Sequence, residues 1–178
     1  FPSGIERDAC TTLKTLAASV LSTRLPDRGH ACRMLENEIT AIIRRWFEEV
    51  WNQRNLDTID ELFHPEGVAH DLGGQGATVK GPAAFRQAAA YMQNAFGRIV
   101  VNIEDIFGVD DRVAVRLTSR MTHTGPLDNH PATGAEVTVP IVCLIRMRDG
   151  KIIEGWNFWD VASALRAAGA PPQRTTLF

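Results

Sequence analysis

The chain has 178 residues, 44% apolar and 22% charged, with a formal net charge of −2, the composition of one globular domain with a substantial core. Near neutrality with no basic run excludes the electrostatic footprint of a nucleic-acid binder or of a protein held on an anionic membrane, and no apolar run reaches the ~18 residues of a membrane span. Cys10, Cys32 and Cys143 make neither a disulfide framework nor a metal-type spacing, and with no signal-peptide pattern they point to the cytoplasm.

Ile5 to Leu25 places Ile5, Ala9, Leu13, Leu16, Val20 and Leu21 at helical spacing before Pro26 and Gly29, which predicts an amphipathic extension over residues 1–32 that caps the fold or lies across a second subunit. From Arg33 to Trp51 the apolar residues recur at three and four, including Leu35, Ile39, Ile43, Trp46 and Val50; this is the long core helix. A short helix follows from Thr58 to Phe63, with Asp57 as N-cap and His64-Pro65 as its stop. Gly67 to Lys80 combines a brief strand with three glycines, so it reads as a strand end running into a loop. Gly81-Pro82 then opens a helix whose inner face is Phe85, Ala88, Ala89, Met92 and Phe96, with Pro at the first turn, where its missing N–H does no harm.

Beyond Gly97 the period becomes two. Strands are predicted over Arg98 to Phe107 and Arg112 to Thr124, and again from Glu136, where Val137, Val139, Ile141, Cys143, Ile145 and Met147 form an inner row. Asp149-Gly150 is a two-residue hairpin signal that requires positive φ at both positions, so Lys151 to Trp159 returns as the partner strand. It ends in GWNFWD, more aromatic surface than a strand end needs, which reads as a cavity wall. A closing helix over Val161 to Ala168 and a tail at 171–178 complete a main domain over 33–170. Helices first and strands afterwards argue for an α+β fold, a curved antiparallel sheet with the helices on one face. No metal motif, phosphate loop or nucleophile elbow is present, so neither cofactor nor metal is expected.

The stretches WFEEVWNQRNLDTIDELFHPEGVAHD, GPAAFRQAAAYM, DRVAVRLTSRMTHTG and DGKIIEGWNFWDVASALRAAGA resemble the SnoaL-like polyketide cyclase group of the nuclear-transport-factor-two-like superfamily, in order and spacing over roughly residues 36 to 169. That resemblance implies a cone-shaped α+β barrel with helices inside the curved sheet, a deep apolar pocket, no cofactor, and often a homodimer formed through the outer face of the sheet. It also implies a ring closure by an intramolecular aldol step, with a pocket Asp that moves protons and a His across from it. Aligned through Asp149-Gly150, that Asp falls on Asn157 here and the His on Cys143. Asn has no proton to exchange near neutral pH, though its amide can hold an enolate or carbonyl oxygen.

Replacement bases are sought among residues near the predicted cavity. His70 and Asp71 sit where a strand meets the glycine-rich loop, and imidazole is suited to proton transfer at pH 7. His123 shares the inner face with Val113, Val115, Leu117 and Met121. Asp160 reads as an N-cap, and Trp156 points away from Asn157. Trp46, Trp159, Cys143 and Met121 are expected to line the pocket, Cys143 as a packing residue because no cation lowers its pKa.

Three functions follow. One is a cyclase or isomerase of a small hydrophobic carbonyl compound, in which His70, with Asp71 or His123, moves the proton and Asn157 holds the oxyanion. The second is an epoxide hydrolase, which that fold also supports with an inward Asp–Arg–Asp set; here Arg116 and Arg120 fall on the outer face by alternation. The third is a non-catalytic ligand-binding or dimerisation module.

Overall fold

The computed structural model describes residues 38–72, 77–127 and 131–160, together with Arg166. The N-terminal extension, the sequence GGQG at 73–76, His130, the expected closing helix and the tail lie outside the described residues.

Helix α1 (38–46) tightens the face carrying Ile43 and Trp46 against the core and passes into a π-helical turn, Phe47–Asn52. There the backbone closes from Gln53 N–H to Glu48 O at 2.9 Å. The wider turn brings Phe47 and Trp51 to the cavity described below. Helix α2 (Thr58–Leu62) carries Asp57 at its N-cap position, but the Asp57 side chain makes no capping bond. Its carboxylate accepts from Arg86 instead, which corrects the capping role expected of it. The helix stops at Phe63, whose backbone is already extended.

Strand β1 (Phe63–His70) buries Phe63, Gly67 and Ala69. A Cβ at Gly67 would stand 2.6 Å from the Phe63 ring, so the face that packs on the core must carry small residues here. Strand β2 (Thr78–Lys80) leads into helix α3 (Gly81–Ala95), with Pro82 in the first turn and Phe85, Ala89 and Met92 buried. Phe85 completes an aromatic group with Trp46 and Phe63, ring centroids 4.9–6.0 Å apart. Strands β3 (Phe96–Val109), β4 (Arg112–His123), β5 (Glu136–Arg148) and β6 (Lys151–Trp159) follow. The β5–β6 turn has positive φ at both Asp149 and Gly150, as a two-residue hairpin of this kind requires.

The six strands form one sheet in the order β2-β1-β6-β5-β4-β3. It differs from the expected architecture in two ways. The β1–β6 pairing is parallel while every other is antiparallel, so the sheet is mixed. It is also open, with β2 and β3 as edges, rather than a closed cone. Register shifts in β3 and β6 mark bulges, which bend strands and increase their twist. Asn52, at the end of the π-helical turn, serves the β3 edge as a strand would: its Oδ1 accepts from Val101 N–H at 2.7 Å and its Nδ2 donates to Val101 O at 3.1 Å. Arg54 adds donations to the carbonyls of Gly97 and Gln93. No helix among the described residues is long and apolar enough to cross a membrane.

Candidate active site

Two of the register pairs on the inner faces of β5 and β6 are Ile141 with Trp159 and Cys143 with Asn157. The Cys143 thiol, 3% exposed, donates to Asn157 Oδ1 at 3.4 Å. Burial pushes that thiol up from 9.0 to about 12, so it is a neutral S–H donor at any physiological pH. Asn157 Nδ2 donates to the carbonyl of His70 at 2.9 Å, and the Trp159 indole N–H donates to the carbonyl of Asp71 at 3.0 Å. Both carbonyls belong to the end of β1, where Asp71 takes a positive φ of 58° and its N–H reaches Ala77 O at 2.8 Å. An amide has two N–H donors and two acceptor lone pairs. The second N–H of Asn157 therefore has no protein partner among the described residues.

These side chains stand at one end of a cavity of about 60 Å³ that opens to solvent. Trp51 and Phe47 enter from the π-helical turn, Met92 from α3, Leu117, Ser119 and Met121 from β4, and Leu72 from the segment after β1. A second hollow of about 40 Å³ adjoins it, shares Cys143 and Asn157, and is lined by Trp46 and Phe85. Of the residues lining either hollow none is charged. The polar groups offered to a ligand are the Asn157 amide and the Ser119 hydroxyl, since the Trp159 N–H and the Cys143 S–H are already committed.

Sequence reasoning placed Asn157, Trp159, Cys143 and Met121 on this wall, and that is where they lie; Trp46 lines the second hollow. The expectation for His70 is overturned. Its carbonyl faces Asn157, but its ring is on the outer face of the sheet, stacked on Trp156 at 5.2 Å and 17°, with Nε2 3.1 Å from Glu154 Oε1. Ala69, not His70, fills the inward position. His123 is inward and fully buried, yet it lines neither hollow. Its Nδ1 shares a hydrogen bond with Thr133 Oγ1 at 3.1 Å and its ring packs on Phe96, so it ties the 131–135 segment to the end of β4. Asp71 immediately precedes the cavity-lining Leu72 but lines neither hollow itself; what it gives the wall is its carbonyl, which accepts from the Trp159 indole. Arg116 is exposed and paired with Asp105 at 2.6 Å, and Arg120 is exposed as well, so neither supplies the inward cation of an epoxide hydrolase.

Ser119 and Leu72 were missed. For Ser119 a signal existed: it is the one small polar residue in the inner row of β4, between Leu117 and Met121.

The family model of the SnoaL-like polyketide cyclases matches residues 41–168. Among characterised proteins, the chain is 28% identical over 132 residues to the aklanonic acid methyl ester cyclase DnrD of Streptomyces peucetius, covering 73% of this chain and 90% of that protein. Among solved structures, a candidate SnoaL-like polyketide cyclase from Jannaschia sp. CCS1 superposes with a TM-score of 0.69 at 27% identity, covering 77% of this chain and 95% of the other. IdmH, a candidate polyketide cyclase from Streptomyces antibioticus, gives 0.63 at 26% identity over 74% of this chain and 98% of its own.

Proposed function

The chain belongs to the SnoaL-like polyketide cyclase family, and from that premise we propose that it closes a ring in a hydrophobic polyketide-like carbonyl compound by an intramolecular aldol step, without a cofactor. The observation that carries this reading is the Asn157 amide, held between the Cys143 thiol and the His70 carbonyl with one N–H left for a ligand oxygen. In this reading the Asp71 carboxylate takes the proton from a carbon flanked by carbonyl groups, and the resulting enolate oxygen is held by the free N–H of Asn157. The enolate carbon then attacks a second carbonyl carbon of the same molecule. A C–C bond forms, the carbonyl π pair moves to oxygen, and that alkoxide recovers the proton from the Asp71 carboxyl. Nothing is oxidised or lost, so the reaction needs no co-reactant. An apolar cavity suits it because water is kept from the enolate and a fixed dipole acts more strongly there than in bulk solvent.

The experiment is turnover of aklanonic acid methyl ester, the compound named for the curated relatives, by the wild type and by Asn157→Ala and Asp71→Asn. Loss of turnover in both variants with retained quenching of tryptophan fluorescence by the compound supports the reading. Undiminished turnover in Asn157→Ala rules it out.

A second reading, a non-catalytic holder of a hydrophobic ligand, is favoured by the absence of any ionisable acid or base among the described cavity-lining side chains other than the neutral Cys143. In that case the compound quenches fluorescence and emerges unchanged. We further propose a cytoplasmic site of action, where a buried free thiol is stable, and a homodimer that pairs the exposed Phe107, Leu144 and Phe158 of the outer sheet face. Sedimentation of Phe158→Glu tests the dimer.

A further inference from the structure

We propose that Ser119 is a specificity-determining residue of the cavity, binding an oxygen at the end of the ligand remote from Asn157; this rests on the cavity being the ligand site, as in the function proposed above. Ser119 is 2% exposed, points inward from β4 between Leu117 and Met121, and lines the cavity. No hydrogen bond is seen from its hydroxyl to a described residue, and the oxygen lines the cavity without being a sealed, unsatisfied atom. Buried hydroxyls are nearly always paired, because an unpaired one forfeits its bonds to water without replacement. Every other inward residue of β4 from Val113 to Met121 is apolar, and Ala or Val would fill the row without that penalty. The partner of Ser119 therefore enters from the cavity.

The sheet register fixes where this second pole stands. Leu117 pairs with Ile141, and Ile141 with Trp159, so the indole lies on the row through Leu117. Asn157 is two residues to one side of that row, opposite Cys143, while Ser119 is two residues to the other side, opposite Val139. Trp159 lies between the two poles. Four residues along a strand and two strand spacings separate the Cα atoms by about 16 Å on a flat sheet, less once the inward reach of both side chains is taken off. A ligand that satisfies both poles is an elongated, flat, apolar body with an oxygen at each end. Hydroxyl and carbonyl both suit, since a serine hydroxyl donates and accepts. A compound oxygenated at one end only leaves one pole unpaired, and a site with buried polar groups rejects such analogues strongly.

The test measures tryptophan quenching by anthraflavic acid, an anthraquinone with a hydroxyl at each end, and by its monohydroxy analogue. The wild type is expected to bind the first roughly five- to tenfold more tightly. Ser119→Ala and Ser119→Val bind the two equally, and Ser119→Thr, which restores a hydroxyl at the volume of Val, restores the preference. A preference that survives in Ser119→Val, equal affinities in the wild type, or no saturable quenching by either compound overturns the assignment. Because quenching reads occupancy and not ring closure, a wild type that discriminates between the probes but cyclises nothing refutes the proposed reaction and leaves the role of Ser119 standing.

Discussion

The two faces of the β5–β6 hairpin solve the problem of polar groups in opposite ways. Inward, Cys143, Asn157 and Trp159 are neutral, and their bonds run to one another or to backbone carbonyls. Outward, one residue along the same strands, Glu154 takes His70 Nε2 at 3.1 Å and Arg146 at 3.4 Å, and Arg146 also lies 3.8 Å from Asp111. Water carries most of the solvation of the outer charges, so they can be numerous and individually weak. The inner groups have no such support and must be few and fully placed. A titratable side chain is thus a poor marker of the site here, and a neutral amide fixed by two partners is a better one.

The contrast is broken most severely by deleting apolar volume from the inner face. Ile145→Ala should cost about 3 kcal/mol, within the range for truncating a buried aliphatic side chain, whereas Arg146→Ala, its immediate neighbour on the exposed face, should stay within about 0.5 kcal/mol. Urea melts of the two variants measure this, and a comparable loss in Arg146→Ala would show that the outer ion pairs carry stability. For activity the same comparison sets Asn157 against His70. Asn157→Ala should lower kcat/KM for the proposed cyclisation about 100-fold, as removal of a fixed oxyanion donor does. His70→Ala should change it less than about twofold, since its imidazole faces away and only its carbonyl serves the site. An equal fall in both would return His70 to the catalytic list.

How much of this could be read in advance depends on whether the information was local. The Asp149-Gly150 turn and the period of two in β4 and β5 fixed the inner row, and with it Met121, Cys143, Asn157 and Trp159. His70 was misplaced because nearness to a glycine-rich loop says nothing about which face a side chain takes. In β1 the larger Val68 suggests one face and the small Gly67 and Ala69 the other. Phe63 decides it by packing against the Gly67 backbone, a contact no period reveals. The parallel pairing of β1 with β6 joins segments more than 80 residues apart and leaves no local trace. Ser119 was visible as a polar break in an apolar row, but its meaning needed the cavity.

A further variant sharpens the comparison at the edge of the sheet. Asn52 treats Val101, a cavity residue, with the same neutral amide logic as Asn157, satisfying both backbone groups of one edge residue. Asn52→Leu keeps the volume and loses both bonds, so it should cost about 2 kcal/mol and loosen the Phe47 and Trp51 wall. Thermal unfolding gives the first quantity, and amide exchange at Val101 gives the second. Unchanged exchange there would mean the β3 edge holds itself.

A last test separates the faces by pH alone. The folded state keeps the proton of Cys143 up to about 12, whereas an ordinary thiol releases it near 9.0. Between those values the unfolded chain binds fewer protons than the native one, so stability falls as pH rises. Below 9 the group contributes no slope. The loss should approach about 1.4 kcal/mol per pH unit across that window, seen as the difference between wild type and Cys143→Ala so that other alkaline titrations cancel. A constant offset between the two proteins would reflect only the lost packing and the lost S–H bond to Asn157. A difference that stays flat from pH 8.5 to 10.5 would mean the thiol ionises as freely as one in water, and the inner face would no longer be the uncharged one.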